Sequence, residues 1–299
     1  MPASAAPSIQ TQDHWIEHPH GSLFARRWQP EQTTPAAAAL PIVLLHDSLG
    51  CTALWRDFPA QLCVASGHPV IAYDRLGFGR SDPRGGRLTP DFVADEARHA
   101  LPALRQQLGW ERCILFGHSV GGGMAVHGAA ALGSACAALI TESAPAFVEA
   151  QTLQGIRAAK ALFADPAQVE RLARYHGSKA RWVLDAWTET WLARGFAAWS
   201  LDAVLPRVHC PLLAIHGEYD EYGSDAHPQR MARLSGGPSR RALIDAAYHV
   251  PHREHPARIV ALVSEFIAGL PPGESIDGDR DRALRRESPA SVNFWPCTR

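Results

Sequence analysis

Ser119 stands in the run "ILFGHSVGGGMAV" (114–126), with Gly117 two residues before it and Gly121 two after. A free serine hydroxyl is a poor nucleophile. It needs a base, and the base needs an acid to orient it. Both kinds of side chain occur further along. Glu218, Asp220, Glu221 and Asp225 crowd the stretch "HGEYDEYGSD" (216–225), and His249, His252 and His255 fall within "YHVPHREH" (248–255). Glu142, which closes the apolar run after Ser119, is another acid. Together these residues could attack a carbonyl, with backbone N–H groups holding the developing oxyanion. The N–H of Val120, the residue after the serine, is one such donor. Taken alone, the glycines would serve equally well for a tight turn carrying a structural serine.

The elements around Ser119 favour the chemical reading. Residues 113–116 form a short continuous apolar run, as in a strand buried on both faces of a parallel sheet. The small, apolar stretch after Ser119 reads as a buried helix, so G-x-S-x-G sits in the strand–turn–helix context it requires. Further buried strands are expected at 41–46, 69–74, 137–143, 211–217 and 241–245. Two more flank a turn within 14–28. Helices are expected at 54–67, at 90–109 with Pro102 kinking or splitting it, and at 256–270. Strands alternating with helices imply a mainly parallel sheet with helices on both faces. The alternation stops between 145 and 206, where helical periodicity carries Trp182, Trp187, Trp191 and Trp199. That segment reads as an inserted helical cap.

The 299-residue chain fits one large α/β domain with an insertion. A net charge of −1 argues against nucleic acid or another polyanion as partner. The N-terminus lacks the charged and apolar regions of a signal peptide. No apolar run approaches the roughly 18 residues that span a bilayer. The six cysteines form no C-x-x-C pair and read as reduced core residues. His14, His18 and His20 cluster without acids at ligand spacing, so no metal site is expected, nor any cofactor. The glycines of "DRLGFGRSD" (74–82) lack both phosphate-loop spacings and read as a structural turn. A cytoplasmic protein acting on a small molecule, with no membrane or nucleic-acid partner, is expected. Oligomeric state is left open.

Five motifs in order resemble the α/β-hydrolase superfamily: "LLHDSLG" (44–50), "YDRLGFGRSD" (73–82), "GHSVGG" (117–122), "IHGEYDEYGS" (215–224) and "YHVPHREHP" (248–256). The resemblance implies an α/β fold of α/β-hydrolase type: a mostly parallel eight-stranded sheet flanked by helices, with a helical cap insertion. The core is then expected over 13–144 and 207–270 and the cap over 145–206, with a flexible N-terminus over 1–12 and, where periodicity is lost and charge is mixed, a flexible tail over 271–299. It assigns Ser119 as nucleophile, Asp220 as acid and His249 as base, with Glu254 and Pro256 completing the histidine pattern. Glu142 and His252 are the alternative acid and base. It places the second oxyanion donor at the Ser48 N–H, and suggests that Asp74, Arg75 and Arg80 pin loops. Two positions depart from the pattern. Asp47 replaces a usual glycine, and its carboxylate is expected to point away from the oxyanion. Tyr248 also replaces a glycine and is expected, with Trp187 and Trp191, to wall the substrate pocket.

The expected function is a serine hydrolase cleaving a small apolar or aromatic carboxylic ester through an acyl-enzyme. Carbon–carbon bond hydrolysis of a dicarbonyl compound is the alternative within enzymes. It would call for an arginine to hold a substrate carboxylate, with Arg157, Arg171, Arg174, Arg181 and Arg194 as candidates. A non-enzymatic ligand sensor on a hydrolase scaffold is the alternative outside them.

Overall fold

The computed structural model describes residues 8–31 and 40–271. The 271–299 tail expectation therefore falls, from residue 272 on, outside the described residues, as do residues 1–7 of the expected flexible N-terminus and Cys297.

Eight strands form one sheet: β1 (Ile9–His18), β2 (Gly21–Pro30), β3 (Ile42–Leu45), β4 (Val70–Tyr73), β5 (Cys113–His118), β6 (Cys136–Glu142), β7 (Leu212–Gly217) and β8 (Ser239–Ile244). Their order across the sheet is β1-β2-β4-β3-β5-β6-β7-β8. Only the β1–β2 and β2–β4 pairs are antiparallel. Every residue of β3, β4, β5 and β7 is buried, which is why these strands read as unbroken apolar runs.

β1 begins at Ile9, so residues 9–12 are not part of a flexible terminus. The stretch Ile9–Gln12 pairs in register with Arg27–Pro30 of β2. Its polar, mostly exposed side chains hid this, because an edge strand is held by its backbone ladder rather than by an apolar face.

Helices α1 (Phe58–Ser66), α2 (Phe92–Arg98), α3 (Ala100–Leu108) and α4 (Val120–Leu132) follow in the first half. α1 ends at Gly67 in the left-handed conformation, φ 71°. The 90–109 helix divides at His99, just ahead of Pro102, whose ring and missing N–H do not fit a helix interior. Between β6 and β7 lie α5 (Ala150–Leu162), α6 (Pro166–His176) and α7 (Ala180–Trp191). The two ends of this insertion are tied together by an antiparallel bridge between Phe147 and Ser200 and by the Leu201 N–H donating to the Ala146 carbonyl at 2.8 Å. α8 (Ala226–Leu234), α9 (Pro251–Glu254) and α10 (Pro256–Ala268) complete the chain, with α10 packed on α1 and α2 on α4.

The four cap tryptophans divide their work. Trp182 donates to the Gly86 carbonyl at 2.8 Å, and the Trp199 ring lies against Gly123 of α4, where an added Cβ would stand 3.5 Å from it, so both fasten the insertion to its surroundings. Trp187 and Trp191 line the cavity that contains Ser119. Cys51, Cys63, Cys113, Cys136 and Cys210 are free thiols. Among the described residues no helix is long and apolar enough to cross a membrane.

Candidate active site

β5 delivers the chain to Ser119 and α4 takes it away. Between them Ser119 adopts φ 53°, ψ −127°, a conformation that costs energy in a non-glycine residue. The turn is possible because two backbones nearly touch it. A Cβ at Gly117 would lie 2.1 Å from the Gly121 carbonyl oxygen, and one at Gly121 would lie 2.2 Å from that of Leu45. The Ser119 N–H donates to the Glu142 carbonyl at 2.8 Å, which ties the turn to the end of β6.

Ser119 Oγ and His249 Nε2 are 3.0 Å apart, and His249 Nδ1 lies 2.8 and 3.0 Å from the two Asp220 oxygens. Ionised Asp220 can only accept, so Nδ1 carries the proton and Nε2 is left to accept from the serine hydroxyl. Asp220 is 4% exposed. Burial pushes its carboxyl up, but the facing His249 charge and hydrogen bond outweigh this and hold it below the ordinary value. In His249 burial pulls the pKa down, and the Asp220 carboxylate more than reverses it, so the net shift is upward. The Tyr222 N–H also donates to Asp220 Oδ1 at 2.8 Å. Of the four carboxylates in the 216–225 loop, Asp220 alone reaches the histidine.

Glu254 accounts for the histidine–glutamate spacing. Its carboxylate accepts from the N–H groups of Tyr248, at 2.5 Å, and Val250, at 3.0 Å, which flank His249. The same clamp corrects the Tyr248 expectation. With His249 turned inward, its neighbour turns outward. Tyr248 is 55% exposed, its ring lies tilted beside that of Tyr219, and it is absent from the cavity wall. Tyr222 takes that place, its ring centroid 4.7 Å from that of His249. Its position two residues past Asp220 was the available signal.

The alternative acid and base pair with each other. His252 Nδ1 and Glu142 Oε2 are 2.5 Å apart in the interior, and the His118 Nε2–H donates to the His249 carbonyl at 2.9 Å. Burial pushes the Glu142 carboxyl up to about 7, the His118 ring down to about 4 and the His252 ring down to about 3. Ligand-type atoms of His118, Glu142 and His252 all lie within 4.8 Å of one another, a grouping the sequence conceals because Glu142 and His252 are far apart in the chain. As arranged, these groups form a proton-sharing cluster. Two ligands at about 2 Å from one tetrahedral ion would stand farther apart than this pair does.

Val120 is the first residue of α4, so its N–H has no acceptor within the helix. Ser48 lies in the loop after β3 and lines the same cavity as Ser119. Arg75 secures that loop, donating to the Asp47 carbonyl at 2.7 Å. Asp74 accepts from the N–H groups of Thr52, at 2.5 Å, and Arg80, at 2.7 Å, while the Arg80 guanidinium donates to Asp13 at 2.9 Å. Asp47 Oδ1 folds over Gly50, where an added Cβ would lie 1.9 Å away. Asp47 as a residue also lines the cavity that contains Ser119.

That cavity has a volume of about 240 Å³. Leu49, Ile156, Trp187, Trp191 and Val250 give it apolar walls, and α5 and α7 of the insertion form one side. Among the described residues no arginine or lysine lines it. The five arginines named above from the insertion all lie elsewhere.

A strand-order signature, a strained serine turn and a Ser–His–Asp chain of hydrogen bonds now stand together. The sequence profile of the alpha/beta hydrolase fold matches residues 41–178. Over that stretch, a little under half of the chain, the sequence is similar to the α/β-hydrolase family. Among curated relatives, the 1-acylglycerol-3-phosphate O-acyltransferase ABHD5 of Sus scrofa is 36% identical over 86 residues, 29% of this chain. The match spans about a quarter (24%) of that protein's length. Among solved structures, the 2-hydroxy-6-oxo-6-phenylhexa-2,4-dienoate hydrolase of Rhodococcus sp. strain RHA1 superimposes with a TM-score of 0.73 at 15% identity, covering 88% of this chain and all (100%) of that one. A thermophilic esterase from Thermogutta terrifontis superimposes with a TM-score of 0.64 at 22% identity, covering 86% and 98%. At such identities the superpositions speak for the α/β-hydrolase fold alone.

Proposed function

We propose that the protein is a serine hydrolase that cleaves a small carboxylic ester with an apolar or aromatic body, through an acyl-enzyme. The observation that carries this reading is the hydrogen-bonded chain from Ser119 Oγ through His249 to Asp220, set at a cavity walled by Trp187 and Trp191.

In the proposed cycle Ser119 Oγ attacks the ester carbonyl while His249 Nε2 takes its proton. Asp220 stabilises the imidazolium that forms. The Val120 and Ser48 N–H groups hold the oxyanion, a contribution worth roughly 10²–10³ in rate per donor. His249 returns the proton to the departing alkoxide, and the alcohol leaves. A water then gives its proton to His249 and attacks the acyl carbon. The released acid and the restored Ser119 hydroxyl close the cycle.

Carbon–carbon cleavage of a keto acid would need a cation to hold the substrate carboxylate, and among the described residues no arginine or lysine lines the cavity. The ester reading is favoured on that ground. The test is to assay short p-nitrophenyl esters and a vinylogous 1,5-diketo acid with one preparation and with Ser119→Ala. Ester turnover that disappears in Ser119→Ala is the expected result. A kcat/KM for the diketo acid far above that of any ester would overturn it.

A further inference from the structure

The cavity over Ser119 has an unbalanced charge. Asp47 and Glu221 both line it, and among the described residues no hydrogen bond or ion pair reaches either carboxylate. Among the described residues no lysine or arginine lines it to offset them. The Arg75 guanidinium is committed behind the loop, to the Asp47 carbonyl. Two hydroxyls on the same wall are also uncommitted. Ser143 and Thr152 are 2% and 4% exposed, and neither Ser143 Oγ nor Thr152 Oγ1 has a hydrogen-bond partner. Ser143 holds φ 49° at the end of β6, a strained conformation of the kind retained at working positions.

A neutral apolar ligand filling this space would strip water from Asp47 and leave the hydroxyls without partners. A carboxylate ligand would add repulsion. A protonated amine satisfies all of these groups. It has donors and no acceptor, whereas carboxylates accept and hydroxyls can. Trp187, Trp191 and Tyr222 add aromatic faces, which attract cations once water is excluded. Asp47 thereby gains a purpose at the position where the resemblance expects glycine.

We infer that the cavity over Ser119 contains a cation subsite, formed by the Asp47 and Glu221 carboxylates with the Ser143 and Thr152 hydroxyls, that selects ligands bearing a protonated amine on an apolar or aromatic body. As a statement about substrates it rests on the hydrolase reading, and it narrows the ester to an amino ester. As a statement about binding it does not depend on turnover.

The experiment uses the Ser119→Ala protein, which removes the nucleophile, and follows binding by tryptophan fluorescence and calorimetry at pH 7 and low salt. The probes are 2-phenylethylammonium, 2-phenylethanol and 3-phenylpropanoate, similar in size and different in charge. The ammonium should bind at least about tenfold tighter than the alcohol, with the carboxylate weakest. Asp47→Asn and Glu221→Gln should each weaken the ammonium by roughly five- to tenfold and leave the alcohol within about twofold. Glu221 is exposed, so its variant keeps the test independent of any folding defect at Asp47. Three results would overturn the inference: no ammonium binding at millimolar concentration, ammonium no tighter than alcohol or carboxylate, or variants that weaken alcohol and ammonium alike. Failure of the ester assay with the unmodified protein would instead sink the hydrolase reading and leave this result standing.

Discussion

His118 donates through Nε2 to the carbonyl oxygen of His249 at 2.9 Å, so the residue before Ser119 grips the backbone of the residue whose ring lies 3.0 Å from the Ser119 hydroxyl. One hydrogen bond thus ties the Ser119 turn to the His249 loop. Burial holds the His118 ring down at about 4, so it is neutral, with a donor available, near pH 7. His118→Ala should lower kcat by roughly 10- to 100-fold through a looser Ser119–His249 geometry, with KM little changed. His118→Asn, which can still donate, should recover part of the loss. Equal activity in wild type and both variants would show that the tether does not position the base.

A fluorophosphonate should label the protein once, on Ser119. Ser119→Ala should abolish the label and lower kcat by about 10⁶. Intact-mass measurement before and after labelling reads both. A label that persists in Ser119→Ala would remove that residue from the mechanism.

His249 must be neutral to accept the serine proton, and Asp220 raises its pKa above the ordinary histidine value. The rate therefore rises with pH, and kcat/KM should climb through a midpoint above about 6.5. Asp220→Asn removes the anion. It should move that midpoint to lower pH and cut kcat by about 10⁴. A midpoint that stays in place in Asp220→Asn would show that another acid orients the base.

In the proposed reading His252 serves structure rather than proton transfer. Its ring packs 4.6 Å from that of Trp55 and 5.2 Å from that of Phe58, and it bonds Glu142. His249→Ala should lose several orders of magnitude in kcat, whereas His252→Ala should lower the melting temperature and keep most of the turnover per folded molecule. The reverse pattern would exchange their roles.

Glu142 makes stability depend on pH in a way a difference measurement can isolate. Its folded pKa, pushed up to about 7, lies above the roughly 4.3 of an unfolded glutamate. The raised value means that the folded state is favoured while the carboxyl is protonated in both states. That advantage drains away as pH rises from about 4.3 to 7. His118 and His252, both pushed down, act in the opposite sense over the lower part of the same range, losing stability as pH falls below about 6.5. Glu142→Gln cancels only the first effect. The stability of wild type minus that of Glu142→Gln should fall between pH 4.3 and 7 and stay level above it. Denaturant midpoints at half-unit intervals would show this, and a flat difference would mean that Glu142 is ionised throughout.

Much of this arrangement was legible in the chain. Strands buried on both faces announce themselves as runs such as Ile42–Leu45, and the Ser119 turn is written in glycines whose Cβ atoms would strike a neighbouring backbone. Choosing among Glu218, Asp220, Glu221 and Asp225 needed the family resemblance, because carboxylates one or two residues apart look alike until a loop turns one of them inward. Tyr248 and Tyr222 were exchanged for the same reason. Edge strand β1 was read short because its outer residues bury little. The His118–Glu142–His252 cluster and the free hydroxyls of Ser143 and Thr152 left no trace, since their meaning lies in what surrounds them in space.

The two outermost strands carry a consequence for how molecules of this protein meet one another. An edge strand offers unpaired backbone groups on which a foreign strand can settle. Along β8 the residues Ser239, Arg240 and Arg241 are exposed, and the two arginines are anchored to Glu265 and Asp225. Along β1, Gln10, Thr11, Gln12 and Asp13 are exposed, with Asp13 held by Arg26 and Arg80. A second copy approaching either edge must therefore pull apart bound charges before any strand-to-strand bond can form. Crowded solutions of the folded chain are thus guarded against growth by strand addition, and that guard resides in side chains far from Ser119, free to be altered without touching the chemistry.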